Sequence, residues 1–316
     1  MGFALNIVIM VGIYIILSVS FNLLMGYAGV FAMCHAAFYG IGAYISTLVF
    51  MNLGWSFIPA MLAGMLGAAA ISFVLSIPAL RVHWEYMVIL SFGFQFMVYY
   101  AMMNWVSLTN GPLGITGIPR PTLFGFTFSS NLSYLGLVTV FALLVVLVAW
   151  RIGESPYGRV LKAIREDELA VAALGKNVFR YKVSIFVIAG ALAAVAGALV
   201  AHYIRYIVPY YFGIHESFLI IFLVVLGGSG NLWGGVVGAV VLITIPELLR
   251  LLPIPSEALG GTRQLLYGLI LILFMVFRPW GILPERVKIP KIPIGSRIGG
   301  NKPQTGIKMR EPHGIN

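Results

Sequence analysis

The chain has 316 residues, 60% of them hydrophobic and 9% charged, with a mean hydropathy of +0.98 and a formal net charge of +10. Residues 1–80 contain no Lys, Arg, Asp or Glu at all. No water-soluble domain is built this way. Crossing about 30 Å of hydrocarbon takes roughly 20 apolar residues per helix, because each backbone N–H and C=O must be satisfied within its own segment.

Composition therefore predicts an all-α, polytopic transmembrane helical bundle and not a barrel. In chain order the apolar runs are 5–25, 30–51, 56–80, 86–104, 132–150, 184–204, a short 217–226, 232–249 and 264–277, about nine spans. The first run has no basic flank and is long enough to span, which is unlike a cleaved signal peptide. Cys34, the single cysteine, allows no internal disulfide and reads as a small packing residue.

Lys and Arg favour cytoplasmic loops. Arg81, seven basic residues in 151–182 and eight from Arg278 onward fall on one face, against Arg120, Arg205, Arg250 and Arg263 on the other. The 151–182 loop and the C-terminus are thus expected in the cytoplasm and, with an odd span count, the N-terminus outside. The basic balance is mostly this bias, so nucleic-acid binding is not expected. Residues 1–283 read as one membrane domain and 284–316 as a cytoplasmic tail, either flexible or touching anionic lipid.

The spans hold few groups that could relay charge. His35, His202 and Glu247 are the candidates; a structural hydrogen bond suits His35 better than a metal, since no second ligand sits at ligand spacing. Glu247 and Arg250 are placed for an i, i+3 ion pair. No Walker pattern, G-x-S-x-G elbow or H-E-x-x-H helix occurs, so neither an intrinsic nucleotide site nor catalysis is predicted.

Glycines are the second signal. Gly190 and Gly197, seven apart, are set for close helix packing. The run 217–226 is too short to span and meets Gly227-Gly228-Ser229-Gly230-Asn231, which predicts a broken helix over 217–238 of the kind that marks transport paths. The same order recurs at 23–44 around Gly26 and Gly29, as in a weak internal repeat. Gly26, Gly29, His35, Phe38, Gly227, Gly228 and Gly230 are accordingly candidate path residues. The Pro- and Gly-rich loop 105–131 faces outside, as a docking surface for an extracytoplasmic partner or as a cap over helix ends.

Between 151 and 182 the chain turns charged. Arg159, Lys162, Ala163 and Glu166 share a helical face beside apolar neighbours, Arg165, Asp167 and Glu168 add to the charge cluster, Ala172 extends the small apolar face, and Gly175 with Asn177 makes a stop. An amphipathic helix over 163–177 is predicted, offered to a groove on a cytoplasmic protein.

The strings GYAG (26–29), HAAFYGIGAY (35–44), GITGIPRP (114–121), AIREDELAVAALGKNVFRYK (163–182), VVLGGSGNLWG (224–234), PELLR (246–250) and FRPWGIL (277–283) together resemble the LivM-type permease subunits of branched-chain amino acid ABC importers. That resemblance implies a bacterial inner-membrane, multi-pass protein paired with a LivH-like second permease subunit, two cytoplasmic ABC ATPase subunits of the LivG/LivF kind and a periplasmic substrate-binding protein. It also implies that ATP and Mg are bound by the partners, that this chain holds no cofactor, and that 163–177 is the helix coupling it to an ATPase. Glu168 precedes Gly175 by seven residues where the wider permease family has six. Val30, Ala32, Met33 and Cys34 replace a polar Gln and Ser-Leu-Gly pattern, and Trp280 replaces a Gln. Many relatives also begin with a further helix ahead of the point where this sequence starts. Urea, short amides or other small solutes stay open as alternative cargo, and an ion-coupled secondary transporter as an alternative of another class.

Overall fold

The computed structural model describes residues 2–123 and 126–248, scattered positions between 265 and 277, and residues 281–283 and 285. The expected span at 264–277 falls largely outside the described residues, as do Arg250 and residues 286–316.

Eleven helices run through the described residues. They are α1 (Gly2–Asn22), α2 (His35–Leu53), α3 (Phe57–Ala79), α4 (Trp84–Asn104), α5 (Val106–Thr109), α6 (Asn131–Glu154), α7 (Pro156–Glu166), α8 (Glu168–Ala173), α9 (Val178–Ile204), α10 (Ile214–Gly227) and α11 (Leu232–Leu248). A π-helical turn, Leu23–Tyr27, continues α1. Seven segments are long and apolar enough to cross a membrane: Gly2–Tyr27, α2, α3, α4, α6, α9 and Pro209–Gly227. Each matches an expected run, although α9 starts six residues earlier than expected and takes in Arg180 and Lys182.

The core forms where α9 lies against α2 and α3, with α1 packed on α6, α9 and α11. Small residues set these distances. A Cβ at Gly42 would lie 2.3 Å from the Ala194 Cα, and one at Gly197 2.1 Å from the Tyr39 carbonyl oxygen, so both backbones approach only because no side chain intervenes. Gly190 meets Ser72 of α3 in the same way. On the other side of the bundle, Leu62, Leu66, Phe73 and Val74 of α3 and Val140, Leu143, Leu144 and Leu147 of α6 are exposed. Hydrocarbon is the solvent that suits such faces.

The break predicted over 217–238 is present at Gly228–Asn231, but its form differs. The upstream helix is longer than its apolar run, beginning at Ile214, and α10 and α11 fold back on each other as an antiparallel hairpin. Gly227 lies against Gly234 and Leu223 against Gly238, while Leu219, Leu223 and Leu226 share an apolar cluster with Leu242 and Ile243. Glycines on both helices supply the close approach, which a count of apolar residues along one strand of sequence does not reveal. In the 105–131 loop, β1 (Ile115–Thr116) pairs antiparallel with β4 (Tyr206–Ile207), and β2 (Thr122–Leu123) with β3 (Phe126–Thr127).

Candidate functional site

The two glycine breaks of the sequence touch. Asn22, fully buried at the end of α1, donates through Nδ2 to the Asn231 carbonyl at 2.8 Å and accepts at Oδ1 from the Gly230 N–H at 3.0 Å. Gly26 fits only as glycine, since a Cβ there would stand 2.0 Å from Asn22 Oδ1 and 2.3 Å from the Gly230 nitrogen. Gly228 and Gly230 turn the chain with φ of +112° and +82°. The orphan carbonyls at the end of α10 are capped from farther along the chain: the Ile282 and Leu283 N–H groups donate to Leu226 and Gly227, each at 2.9 Å. A segment of the FRPWGIL string thus serves as a cap.

Helix α7 lies across this junction. Ser155 caps its start by accepting from the Gly158 N–H at 3.2 Å, Pro156 opens it, and Leu161 and Ile164 anchor its buried side. Two of its cations turn inward. Arg165 donates to the Gly26 carbonyl and pairs with Glu285 at 2.7 Å, while Lys162 reaches Glu285 at 2.8 Å with its ammonium 4.7 Å from the centre of the Tyr27 ring. Gly29, at φ +69°, leaves room for the Arg165 stem, whose Cγ would be 2.9 Å from an added Cβ. One guanidinium therefore bonds the end of the first span and a carboxylate that follows the cap, and it lies so near Gly230 of the α10–α11 turn that a Cβ there would stand 2.6 Å from Nη1.

Burial works to raise the Glu285 carboxyl, but hydrogen bonds from Lys162 and Arg165, and their charges, outweigh it and hold the group below the usual carboxylate range. Its stabilising contribution is complete above the unfolded value and is lost as pH falls through the lower folded one. Glu285→Gln should therefore lower the unfolding temperature in detergent at neutral pH. The gap to the parent should close as the pH falls below about 4; a gap that persists in acid would show that charge is not its source.

Beyond Glu166 the single predicted helix over 163–177 is interrupted. Asp167 is extended, with φ −155°, and its Oδ1 accepts from the Ala170 N–H at 3.0 Å, so it ends α7 and caps the six-residue α8. An acidic residue at that position satisfies an orphan N–H and faces the positive end of the helix, which is why the chain bends there. Helix α8 is held by Val171 alone among its apolar residues; Leu169 is 83% exposed and the following Leu174 80%. Ala163, Ala172, Arg159 and Glu166 are also exposed. Glu168 pairs with Lys182 of α9, Gly175 leaves α8 at φ +76°, and Asn177 caps α9 by accepting from the Arg180 N–H at 3.1 Å.

Of the path residues, Gly26, Gly29, Gly227, Gly228 and Gly230 gather at the junction, whereas His35 and Phe38 lie in the helix core, 2% and 1% exposed. His35 Nε2 is 2.8 Å from Ser20 Oγ, a structural hydrogen bond as expected. Near it, Gln95 accepts from the Ala37 N–H and the Ser217 hydroxyl and donates to the Phe212 carbonyl. Asn22 and Gln95 were not predicted from the sequence; a lone amide inside an apolar run is the one signal that marks each.

The chain matches the family model described as "Branched-chain amino acid transport system / permease component" over residues 3–275. The permease protein LivM of Salmonella typhimurium, from a high-affinity branched-chain amino acid transport system, is 35% identical over 307 residues, covering 89% of this chain and 70% of the relative. LivM of Escherichia coli is 36% identical over 298 residues, with 86% and 68% covered. The LivH permease protein of Escherichia coli is 27% identical over 303 residues, with 87% and 93% covered. No solved structure matches. With its apolar helices, its paired glycine breaks and a family match over most of its length, the chain belongs to the permease components of the branched-chain amino acid transport systems.

Proposed function

We propose that this chain is a permease subunit of a bacterial ATP-binding cassette importer, carrying branched-chain or related neutral amino acids across the inner membrane. It works with a LivH-like permease subunit, two cytoplasmic ATPase subunits that hold the ATP and Mg, and a periplasmic binding protein. The N-terminus lies outside and residues 151–182 lie in the cytoplasm, in accord with the distribution of Lys and Arg.

One observation carries the coupling role. Leu169 of α8 and the following Leu174 are bare to solvent, while the adjoining α7 is tied through Arg165 to the Gly26 break, which Asn22 in turn bonds to the break at Gly230–Asn231. A short apolar helix of this kind fits a hydrophobic groove on a partner. Movement of that partner reaches the α1 end and the α10–α11 turn through polar contacts, with no relay charge needed inside the spans. Replacing both Leu169 and Leu174 with Asp should leave insertion and unfolding temperature unchanged, since neither side chain packs in the bundle. It should weaken ATPase subunit binding by about 2 kcal/mol, roughly 30-fold in affinity, when measured on the purified complex. Unaltered ATPase affinity in that variant would remove α8 as the docking element.

A further inference from the structure

A cavity of about 370 Å³ opens between α1, the end of α9, the start of α10 and α11. That volume lies within the roughly 300–1,000 Å³ typical of small-molecule sites. Tyr14, Tyr39, Tyr210 and Phe212 supply aromatic walls, and Glu216 and Glu247 supply carboxylates. Among the described lining residues there is no Lys or Arg, and His215 supplies a nitrogen base. Glu216 escaped the sequence reading because the apolar run begins one residue after it; the helix itself begins at Ile214 and carries the carboxylate into the bundle.

The groups are arranged for recognition. Tyr14 donates to Glu216 Oε1 at 2.7 Å, which fixes the carboxylate and leaves its second oxygen available. Tyr39 is 3% exposed and packs edge-on to Phe212 at 5.0 Å, and its hydroxyl has no hydrogen-bond partner among the described residues. The cavity also adjoins the loop that reads as extracytoplasmic: Tyr206 and Ile207 line it and pair, as β4, with Thr116 and Ile115 of that loop.

We infer that this cavity is a binding site for a small solute bearing an ammonium group, held by the Glu216 carboxylate and by the faces of the surrounding tyrosines. Aromatic faces attract a cation through the ring quadrupole, and a fixed carboxylate supplies charge-assisted hydrogen bonds. For an amino acid the ammonium is held at Glu216 while the apolar side chain lies on the aromatic walls. This last step rests on the substrate reading proposed above; the ammonium site itself does not.

The test uses the complete importer in detergent without its binding protein, and three probes: leucine, 3-methylbutylamine, which keeps the ammonium and lacks the carboxylate, and 4-methyl-2-oxopentanoate, which lacks the ammonium. Saturation-transfer NMR should detect leucine and the amine and not the keto acid. Glu216→Gln should weaken amine binding by roughly tenfold or more, Tyr39→Phe by less, and Glu216→Asp should restore part of it. Equal binding of amine and keto acid, or unchanged amine binding in Glu216→Gln, overturns the site. So does loss of the second permease subunit from Glu216→Gln and Glu216→Asp complexes on size exclusion, because Glu216 would then be meeting a cation of that subunit. Glu216-dependent amine binding in an importer that moves no leucine supports the site and sinks the substrate reading alone.

Discussion

Arg165→Met should produce an importer subunit that inserts and assembles but no longer transports. The side chain is mostly withdrawn from solvent, and its guanidinium bonds Gly26 and Glu285 at the point where the two glycine breaks meet. Removing it leaves the Glu285 carboxylate with Lys162 alone and leaves the Gly26 carbonyl without that donor. Truncating one partner of a buried, hydrogen-bonded charge pair costs about 2–5 kcal/mol, and Glu285 keeps a second cation, so the lower end applies. A cost of that size loosens α7 from the bundle without unfolding spans held by their own helices. Binding-protein-stimulated ATP hydrolysis should persist while uptake falls at least about tenfold. Uptake equal to the parent would show that the α7 contacts are structural only. Lys should substitute poorly for Arg, because one ammonium cannot serve the Gly26 carbonyl and Glu285 while also holding Glu166, which accepts from Nε and Nη2 of the same guanidinium.

Gly227→Val is expected to be among the most damaging substitutions at the described glycines. A Cβ at Gly227 would lie 1.9 Å from the Gly234 carbonyl oxygen and 3.1 Å from the Gly238 nitrogen, and all of these are backbone atoms. Relief requires α10 and α11 to separate, which also pulls Gly228–Asn231 away from Asn22. Overpacking of this sort costs about 3 kcal/mol or more. The full importer carrying Gly227→Val should be recovered at a small fraction of parental yield, with no uptake from what is recovered. Gly175→Ala makes the contrast. Nothing lies within 4 Å of a Cβ there, and only the φ of +76° opposes it, so a loss of about 1 kcal/mol at α8 is expected, with normal yield. Parental yield and uptake in Gly227→Val would mean that the hairpin tolerates separation.

Much of this was legible in the sequence, for physical reasons that also explain the gaps. The spans could be read because residues 1–80 lack any charge and later loops carry nearly all the Lys and Arg. The breaks at Gly26–Gly29 and Gly228–Gly230 could be read because glycine clusters interrupt apolar runs. That the two breaks meet could not be read, since contact between residues about 200 apart leaves no mark on local periodicity. The same holds for Glu285, which lies beyond the last expected span and joins Arg165 and Lys162 only in three dimensions. Asn22 and Gln95 were overlooked because one polar residue in an apolar run barely changes a hydropathy average, and Glu216 because the helix begins ahead of its apolar run. The division of the coupling segment was different. Asp167 ahead of Glu168 has the composition of a helix start, but the surrounding charge run was read as the face of one continuous helix.

The measurement that tests the account most directly is uptake of labelled leucine by proteoliposomes that contain this chain with its second permease subunit and both ATPase subunits, loaded with ATP and supplied with binding protein outside. The account predicts uptake that requires ATP and disappears when the ATPase subunits are made catalytically dead. Leucine accumulation that continues with dead ATPase subunits would contradict it and point to an ion-coupled carrier. Absence of leucine uptake despite binding-protein-stimulated ATP hydrolysis would refute the substrate.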